Sequence, residues 1–251
     1  MGIISGYPTG AKIVTDFYSN NLCTKEEAER LLTFTNNSGP LFIIGTVGIS
    51  MFSSSTVGVL LFLCHLLACL SVGILFRFYK RGKRHSNTST SNLKPPLQLG
   101  NLGTILSDSI LNSIQTTIII GGFIVLFSVI ISILNQSNVL SFVTFIFDPI
   151  FRVLNIPTNI IAPFFTGILE LTNGLIVLSK IHLKNITTIY CFCSFLLGFG
   201  GISILLQVLS ITSKTDLSIK PYICGKILQG LISALYTFII FTYIPFFNLN
   251  L

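Results

Sequence analysis

Long apolar runs along the chain are separated by short polar segments, and this alternation predicts a bundle of membrane helices. An apolar run of about 18 residues or more is long enough to cross a bilayer. Four crossings are expected, over residues 54–79, 116–135, 186–211 and 221–247. The third is interrupted near its middle by Gly198-Phe-Gly-Gly201. The chain is therefore expected to be an all-α polytopic membrane protein.

Three segments between the crossings have residue patterns that do not predict a membrane crossing. Residues 101–115 have an amphipathic pattern that predicts an interfacial helix. Residues 138–155 contain an aspartate, a proline and an arginine, which favour an interfacial or re-entrant helix. Residues 80–100 are basic and then rich in polar side chains, so they predict a solvated loop.

A first broken helix is predicted near the start of the chain. Thr24 and Glu27 form a capping box, so a helix should begin there and run inward. It meets Thr35-Asn-Asn-Ser-Gly-Pro40 before an apolar half-helix over residues 41–51. Neither half alone spans a bilayer. An interruption of this kind leaves backbone groups and helix termini free to hold a solute.

Two helix-breaking stretches are interpreted as re-entrant hairpins. The first is Ser5-Gly-Tyr-Pro-Thr-Gly10, for which a surface turn is the alternative. The second is Phe164–Gly174, which contains Glu170, the only acidic residue between Asp148 and Asp216. A carboxylate at membrane depth costs about 2.5–3.5 kcal/mol and is retained when it pairs, hydrates or binds something. The alternative is a kinked helix whose buried acid is satisfied by a neighbour.

Composition agrees with a membrane protein. Apolar residues make up 51% of the chain and charged residues 9%, and the mean hydropathy is +0.83. The net charge of +7 comes from bases in short hydrophilic segments. Such bases set orientation in the membrane, so no nucleic-acid partner is expected.

The two halves of the chain resemble each other. Thr9-Gly10 is followed 29 residues after its glycine by Gly39 in one broken helix, and Thr166-Gly167 is followed 33 residues after its glycine by Gly200 in the other. The crossings between them make the second hairpin open to the opposite side, which is the inverted repeat of many secondary transporters. The expected organisation is repeat 1 over 1–53, two spans joined by the basic loop over 54–136, and repeat 2 over 137–251.

The distribution of bases supports this topology. If the loop 80–100 is cytoplasmic, eleven lysines and arginines lie on that side and three on the other, with Lys12 left inside the first hairpin. The asymmetry agrees with the positive-inside rule. The eleven are Lys25, Arg30, Arg77, Lys80, Arg81, Lys83, Arg84, Lys94, Lys214, Lys220 and Lys226; the three are Arg152, Lys180 and Lys184.

Neither an enzyme nor a metal site is indicated. The six cysteines lie mostly inside apolar runs without a C-x-x-C pair, so no metal or other cofactor is expected. His65, His85 and His182 lie in a span or in loops without an obvious serine, cysteine or metal partner.

The breaks together resemble the nucleoside-recognition (Gate) domain family. The resemblance rests on residues 5–12, 34–48, 166–174 and 199–203. It implies a fold similar to concentrative nucleoside transporters, with two re-entrant hairpins and two broken helices. Family members of the sporulation type imply transport of dipicolinic acid from the mother cell across the outer forespore membrane. Members are usually longer, so this chain is expected to lack the start of repeat 1.

The expected solute site consists of the polar and glycine residues at the breaks. Half-helix N-termini would hold an anion. The residues expected to bind the solute are Pro8, Thr9, Gly10, Asn36, Asn37, Ser38, Gly39, Thr166, Gly167, Thr172, Asn173, Gly200, Gly201 and Ser203.

Two charged residues are expected beside this site. Lys12 would supply a cation, and Glu170 would serve proton or cation coupling, pair with Lys12 or hydrogen-bond the opposite hairpin. The residues do not decide among these roles. The first hypothesis is a transporter of a small anion, located in the bacterial cell membrane or outer forespore membrane. The alternatives are a cation-coupled carrier of nucleosides or similar solutes, and a non-transporting scaffold or gene remnant. The expected partners are the solute and the lipid bilayer, and a homo-oligomer is compatible with this architecture.

Overall fold

A computed structural model of the chain describes residues 2–80 and 101–243. Every regular element in these two ranges is helical, so the predicted all-α class is confirmed. The elements in chain order are α1 Gly2–Ser5, α2 Thr9–Ser19, α3 Lys25–Thr35, a π-helix Leu41–Met51, α4 Ser55–Phe76, α5 Leu102–Gln136, α6 Val139–Val153, a 3₁₀ turn Thr158–Ile160, α7 Ile161–Leu169, α8 Leu171–Ser179, α9 Ile186–Phe199, α10 Gly201–Thr212 and α11 Lys220–Tyr243.

Four helical segments within the described ranges are long and apolar enough to cross a membrane. They are α4, α5, the pair α9 and α10, and α11, which agrees with the four predicted crossings. The core forms where α11 packs against α9, α4 and α3. The protein is an integral membrane protein.

Helix α5 corrects one prediction. The sequence predicts an interfacial helix over 101–115 and a separate crossing from 116, whereas the structure contains one continuous helix of 35 residues. The serine and threonine hydroxyls in its first half bond back to carbonyls one turn earlier, as Ser113 does to Ser109 at 2.8 Å, so they do not interrupt the helix. At 1.5 Å per residue the helix is about 52 Å long, which exceeds the bilayer core of about 30 Å.

Two helical hairpins are present. The chain reverses between α1 and α2 at Gly6, whose φ is +79°, and Gly2 then faces Gly10 closely enough that a Cβ atom on Gly2 would lie 3.0 Å from the Gly10 Cα. It reverses again between α7 and α8, where Gly167 and Gly174 meet backbone to backbone. These hairpins lie where the sequence predicts them, and their re-entrant position in a membrane remains a prediction.

Two interrupted helices accompany the hairpins. Helix α3 begins with the predicted capping box of Thr24 and Glu27 and ends at Thr35, and the π-helix follows after residues 36–39. Helices α9 and α10 are separated by Gly200 and Gly201, whose φ angles are +88° and +85°. Only glycine adopts such values without steric cost, which explains why the helix breaks there. The inverted relation of the two halves remains a prediction.

A polar clamp joins α2, α3 and the segment before α11. Asp216 accepts a hydrogen bond from Lys25 at 2.8 Å and another from Tyr18 at 2.6 Å. These bonds lower the pKa of the Asp216 carboxyl. Close by, the buried Glu29 carboxylate accepts from Lys80 at 2.9 Å and from the Ser218 backbone at 3.1 Å. These contacts fix the positions of α2 and α3, and α3 is the helix that leads into the first break.

Candidate functional site

A cavity of about 350 Å³ lies where both hairpins and both helix breaks meet. Its wall combines elements from the two halves of the chain with one face of α5. Ligand pockets in proteins commonly measure about 300–1,000 Å³, so the cavity has room for a small solute. It is lined by Ile4, Ser5, Gly6, Tyr7, Ser38, Gly39, Leu41, Phe42, Ile120, Ile124, Glu170, Leu171, Thr172, Ile204 and Gln207.

Close glycine contacts bring the breaks to this cavity. A Cβ atom on Gly39 would lie 3.4 Å from the Gly6 Cα, so the first break packs directly on the first hairpin. A Cβ atom on Gly201 would lie 3.2 Å from the Gly167 carbonyl oxygen, so the second break packs on the second hairpin. The same pairing of a hairpin with a break therefore occurs in both halves.

Behind the cavity wall lies a buried lysine, Lys226 on α11. Its side chain is inaccessible to solvent. The ammonium donates hydrogen bonds to Tyr7 Oη at 3.1 Å, to Asn37 Oδ1 at 3.1 Å and to Gln229 Oε1 at 2.9 Å. In the part of the chain that the structure describes, no carboxylate lies within 4.0 Å of it. Its hydrogen-bond partners are neutral acceptors, and the centroids of the Tyr7 and Tyr222 rings lie 5.0 and 5.9 Å from it. A positive charge on the amine therefore has no carboxylate counter-charge among the described residues.

Asn37 and Asn36 anchor the first break to α11. Asn37 Oδ1 accepts from Gln229 at 2.7 Å as well as from Lys226. Asn36 donates to Tyr222 Oη at 2.8 Å and accepts from the Ala11 backbone at 3.3 Å. Both asparagines are fully buried. Their amides replace the helical hydrogen bonds that the break removes, which lets the chain stop and restart inside the bundle.

Glu170 is the residue at which α7 ends and α8 begins. Its φ and ψ are extended, and its carboxylate accepts hydrogen bonds from the Thr172 and Asn173 backbone amides at 3.1 and 2.7 Å. A carboxylate at a helix N-terminus satisfies free N–H groups and favours the helix dipole. The buried acid thus has two partners in its own hairpin, and it also faces the cavity.

Lys12 does not pair with Glu170. It does not line the cavity; its partly exposed side chain donates to Asn112 on α5 at 3.1 Å. The expectation that it supplies the cation of the site is therefore not met. The reason is helical geometry, since α2 runs unbroken from Thr9 and turns Lys12 toward α5.

A second cavity, of about 550 Å³, is lined by two other residues that the sequence predicts for the solute site. Thr166 and Asn173 line it together with residues of α5 and α6. Thr166 donates to the Ala162 carbonyl at 2.9 Å, and Asn173 donates to Ser128 at 3.0 Å. The structure therefore places these two side chains away from the first cavity.

The remaining predicted residues form the supports of the site. Ser38, Gly39 and Thr172 line the first cavity. Pro8, Thr9 and Gly10 lie at the start of α2, and Gly10 packs against the backbone of residues 35–36. Gly167 and Gly201 make the close approach described above, and Gly200 lies at the second break with a φ of +88°. The buried Ser203 accepts from Gln207 at 3.4 Å.

Comparison with known proteins identifies the family of the chain. Residues 117–248 match the family described as nucleoside recognition, or Gate. The chain belongs to the Gate family. It is similar to the sporulation integral membrane protein YlbJ of Bacillus subtilis (strain 168), with 34% identity over 257 aligned residues. The match covers 96% of this chain and 62% of that relative, so the chain spans about three fifths of the relative's length. No solved structure matches the chain.

Sequence reasoning missed the position of Lys226, the buried lysine behind the cavity of this Gate-family chain. The charge distribution assigns it to the cytoplasmic side, and this assignment is wrong because the side chain is buried inside the bundle. A signal was present in α11. Lys226, Gln229, Ser233 and Thr237 recur at intervals of three and four residues, which places them on one helix face. All four are fully buried, so the stripe faces the interior.

Proposed function

We propose that the chain binds a small anionic solute in the first cavity and carries it across the membrane by alternating access. The observation that supports this most strongly is the fully buried Lys226 beside the cavity wall, without a carboxylate counter-charge among the described residues. A lysine is almost never fully buried unless it is paired. A charged side chain inside a membrane bundle is by default a mark of a solute or ion pathway.

The start of the π-helix adds to this support through its dipole, although the Phe42 and Ile43 amides already donate to the Gly39 carbonyl at 3.1 Å. The π-helix begins at Leu41, and both Leu41 and Phe42 line the cavity. Helix N-termini carry about half a positive charge and favour anions. The N-terminus of α8 is already neutralised by Glu170, so a solute carboxylate is expected at the Lys226 end of the cavity, away from Glu170.

We take dipicolinate, an aromatic dicarboxylate, as the solute. The name of the Bacillus subtilis relative links it to sporulation, and the sporulation type within this family implies dipicolinate transport. Alternating access is the mechanism that the predicted inverted repeat favours. The pairing of a hairpin with a break in each half supports that repeat.

A second candidate function is cation-coupled transport of a nucleoside or another neutral solute. Two observations favour it. Glu170 places a carboxylate in the cavity, and the buried amide oxygen of Gln207 finds no hydrogen-bond partner among the described residues. Neutral hydrogen-bonding groups of this kind suit a nucleoside, and the family description names nucleosides.

Uptake by proteoliposomes distinguishes the two functions. The purified chain is reconstituted and tested with radiolabelled dipicolinate and with radiolabelled uridine, and liposomes without protein serve as the control. Dipicolinate uptake above the control is the expected result. Uptake of uridine alone would establish the second function, and uptake of neither would leave a non-transporting role.

A further inference from the structure

The three acceptors of the Lys226 ammonium do not have equivalent positions. Asn37 and Gln229 lie in the protein interior, where they also bond to each other at 2.7 Å. Tyr7 is the one of the three that lines the cavity. Its hydroxyl therefore lies between the cavity and the buried charge.

The hydrogen bonds that keep the Tyr7 side chain in place are weaker than those of the Asn37 and Gln229 amides. Its hydroxyl donates to the Leu197 carbonyl at 3.5 Å, the upper limit of a hydrogen bond. Its ring lies against Gly200, where a Cβ atom would be only 3.1 Å from the hydroxyl oxygen. The absence of a side chain at Gly200 is what gives the ring room beside the second break.

A stronger acceptor would displace this hydroxyl. A phenol oxygen is a neutral acceptor, whereas a carboxylate forms a charge-assisted hydrogen bond about twice as strong. The ammonium already has three hydrogen bonds and can donate no more, so a carboxylate can bond to it only by replacing one of the present acceptors. Tyr7 is the acceptor that a solute in the cavity reaches first.

We propose that Lys226 is the residue that selects anionic solutes, and that a solute carboxylate binds it by taking the place of the Tyr7 hydroxyl. This inference rests on the proposed function and assigns the residue behind its specificity. Displacement of Tyr7 also breaks the contact between the first hairpin and the end of α9. Binding at Lys226 thereby removes one of the contacts between the two halves of the chain, which must move relative to each other in alternating access.

The test measures equilibrium binding of radiolabelled dipicolinate and uridine to the purified full chain in detergent. Lys226→Met removes the charge while keeping most of the side-chain volume, and Lys184→Met removes an exposed lysine as the matched control. We expect Lys226→Met to weaken dipicolinate binding by at least about tenfold and Lys184→Met to leave it unchanged. Tyr7→Phe removes the competing acceptor, so dipicolinate should bind roughly fivefold tighter or more.

Each adverse outcome has a separate meaning. Wild-type dipicolinate affinity in Lys226→Met overturns the role of Lys226 and leaves the proposed function standing. Unchanged or weaker dipicolinate binding in Tyr7→Phe overturns the displacement step. If Lys226→Met does not fold, the binding measured for Tyr7→Phe is the test of the proposal. A wild-type chain that binds no dipicolinate overturns both the inference and the anion function. Binding by the wild type without uptake into proteoliposomes overturns transport alone.

Discussion

The Lys226 ammonium lies 3.1 Å from the amide oxygen of Asn37, although 189 residues separate the two in the sequence. The same oxygen accepts a hydrogen bond from Gln229. One amide in the first helix break therefore holds two polar side chains of the last helix. The break and the buried charge form a single unit, and a change in either should alter the other.

Asn37→Ala should destabilise the protein. The change removes one of three acceptors from a buried ammonium and leaves the Gln229 amide donor unpaired. A buried polar group without a partner costs about 1–3 kcal/mol, and more when it is charged. Thermal unfolding in detergent should show a clear drop in melting temperature. The control is Asn112→Ala, at an exposed position, which should change stability by no more than about 0.5 kcal/mol. Equal melting temperatures for Asn37→Ala and the wild type would contradict a stabilising role of Asn37.

Glu170→Gln should weaken the second hairpin. Glutamine offers one acceptor oxygen where the carboxylate offers two to the α8 amides, and it lacks the charge that favours a helix N-terminus. The expected cost is about 0.5–2 kcal/mol, measured by thermal unfolding. If Glu170 also serves coupling, uptake against a gradient fails while downhill uptake persists.

Adding Lys12→Met to Glu170→Gln tests the pairing hypothesis. The structure pairs Lys12 with Asn112, so the two changes should act independently and their effects on stability should add. A double variant more stable than the sum of the two single effects predicts would show that the two charges do interact.

Gly201→Ala should disrupt the second break. Its φ of +85° costs a residue with a side chain roughly 1–2 kcal/mol, and the new Cβ would lie 3.2 Å from the Gly167 carbonyl oxygen. Gly122→Ala is the matched control, because nothing lies within 4 Å of its Cβ position and alanine favours the helix by up to about 1 kcal/mol. Melting temperatures should fall for Gly201→Ala and stay level or rise for Gly122→Ala. The opposite order would contradict the break at these glycines.

A cysteine at Ser89 should react with impermeant thiol reagents only from the cytoplasmic side. The residue belongs to the basic loop, at positions 81–100, outside the described residues. The basis is the excess of bases on that side, which remains ten against three when Lys226 is removed from the count. The exposed Cys224 is first replaced by serine. Labelling from the other face would reverse the assigned topology.

The sequence predicts the fold where local signals are strong. The apolar runs locate the four crossings, the Thr24–Glu27 capping box locates the start of α3, and the glycines at 200 and 201 locate the second break. The continuity of α5 is not predictable in this way, since serine and threonine in a helix can either end it or bond back to it. The sequence identifies the polar side chains at the breaks. Which of the two cavities each side chain lines depends on how the helices pack.

The sequence alone does not predict the positions of the charged residues of the site. Glu170 stands out by its rarity, yet its role as the cap of α8 requires the reversal of the chain at that residue. Lys226 comes soon after Lys214 and Lys220 in the sequence, so its charge is counted with theirs. Only the polar stripe along α11 separates it from them, and burial of that stripe is a tertiary property.

Protection of engineered cysteines tests most directly whether the first cavity holds an anionic solute. Ser38→Cys and Gln207→Cys place thiols on the wall of this cavity, and Ser128→Cys places one on the second cavity as the control. Dipicolinate should slow modification of the first two thiols by a methanethiosulfonate reagent, leave the third unaffected, and do so where uridine does not. Equal modification rates with and without dipicolinate at Ser38 and Gln207, or protection only at Ser128, would contradict the account.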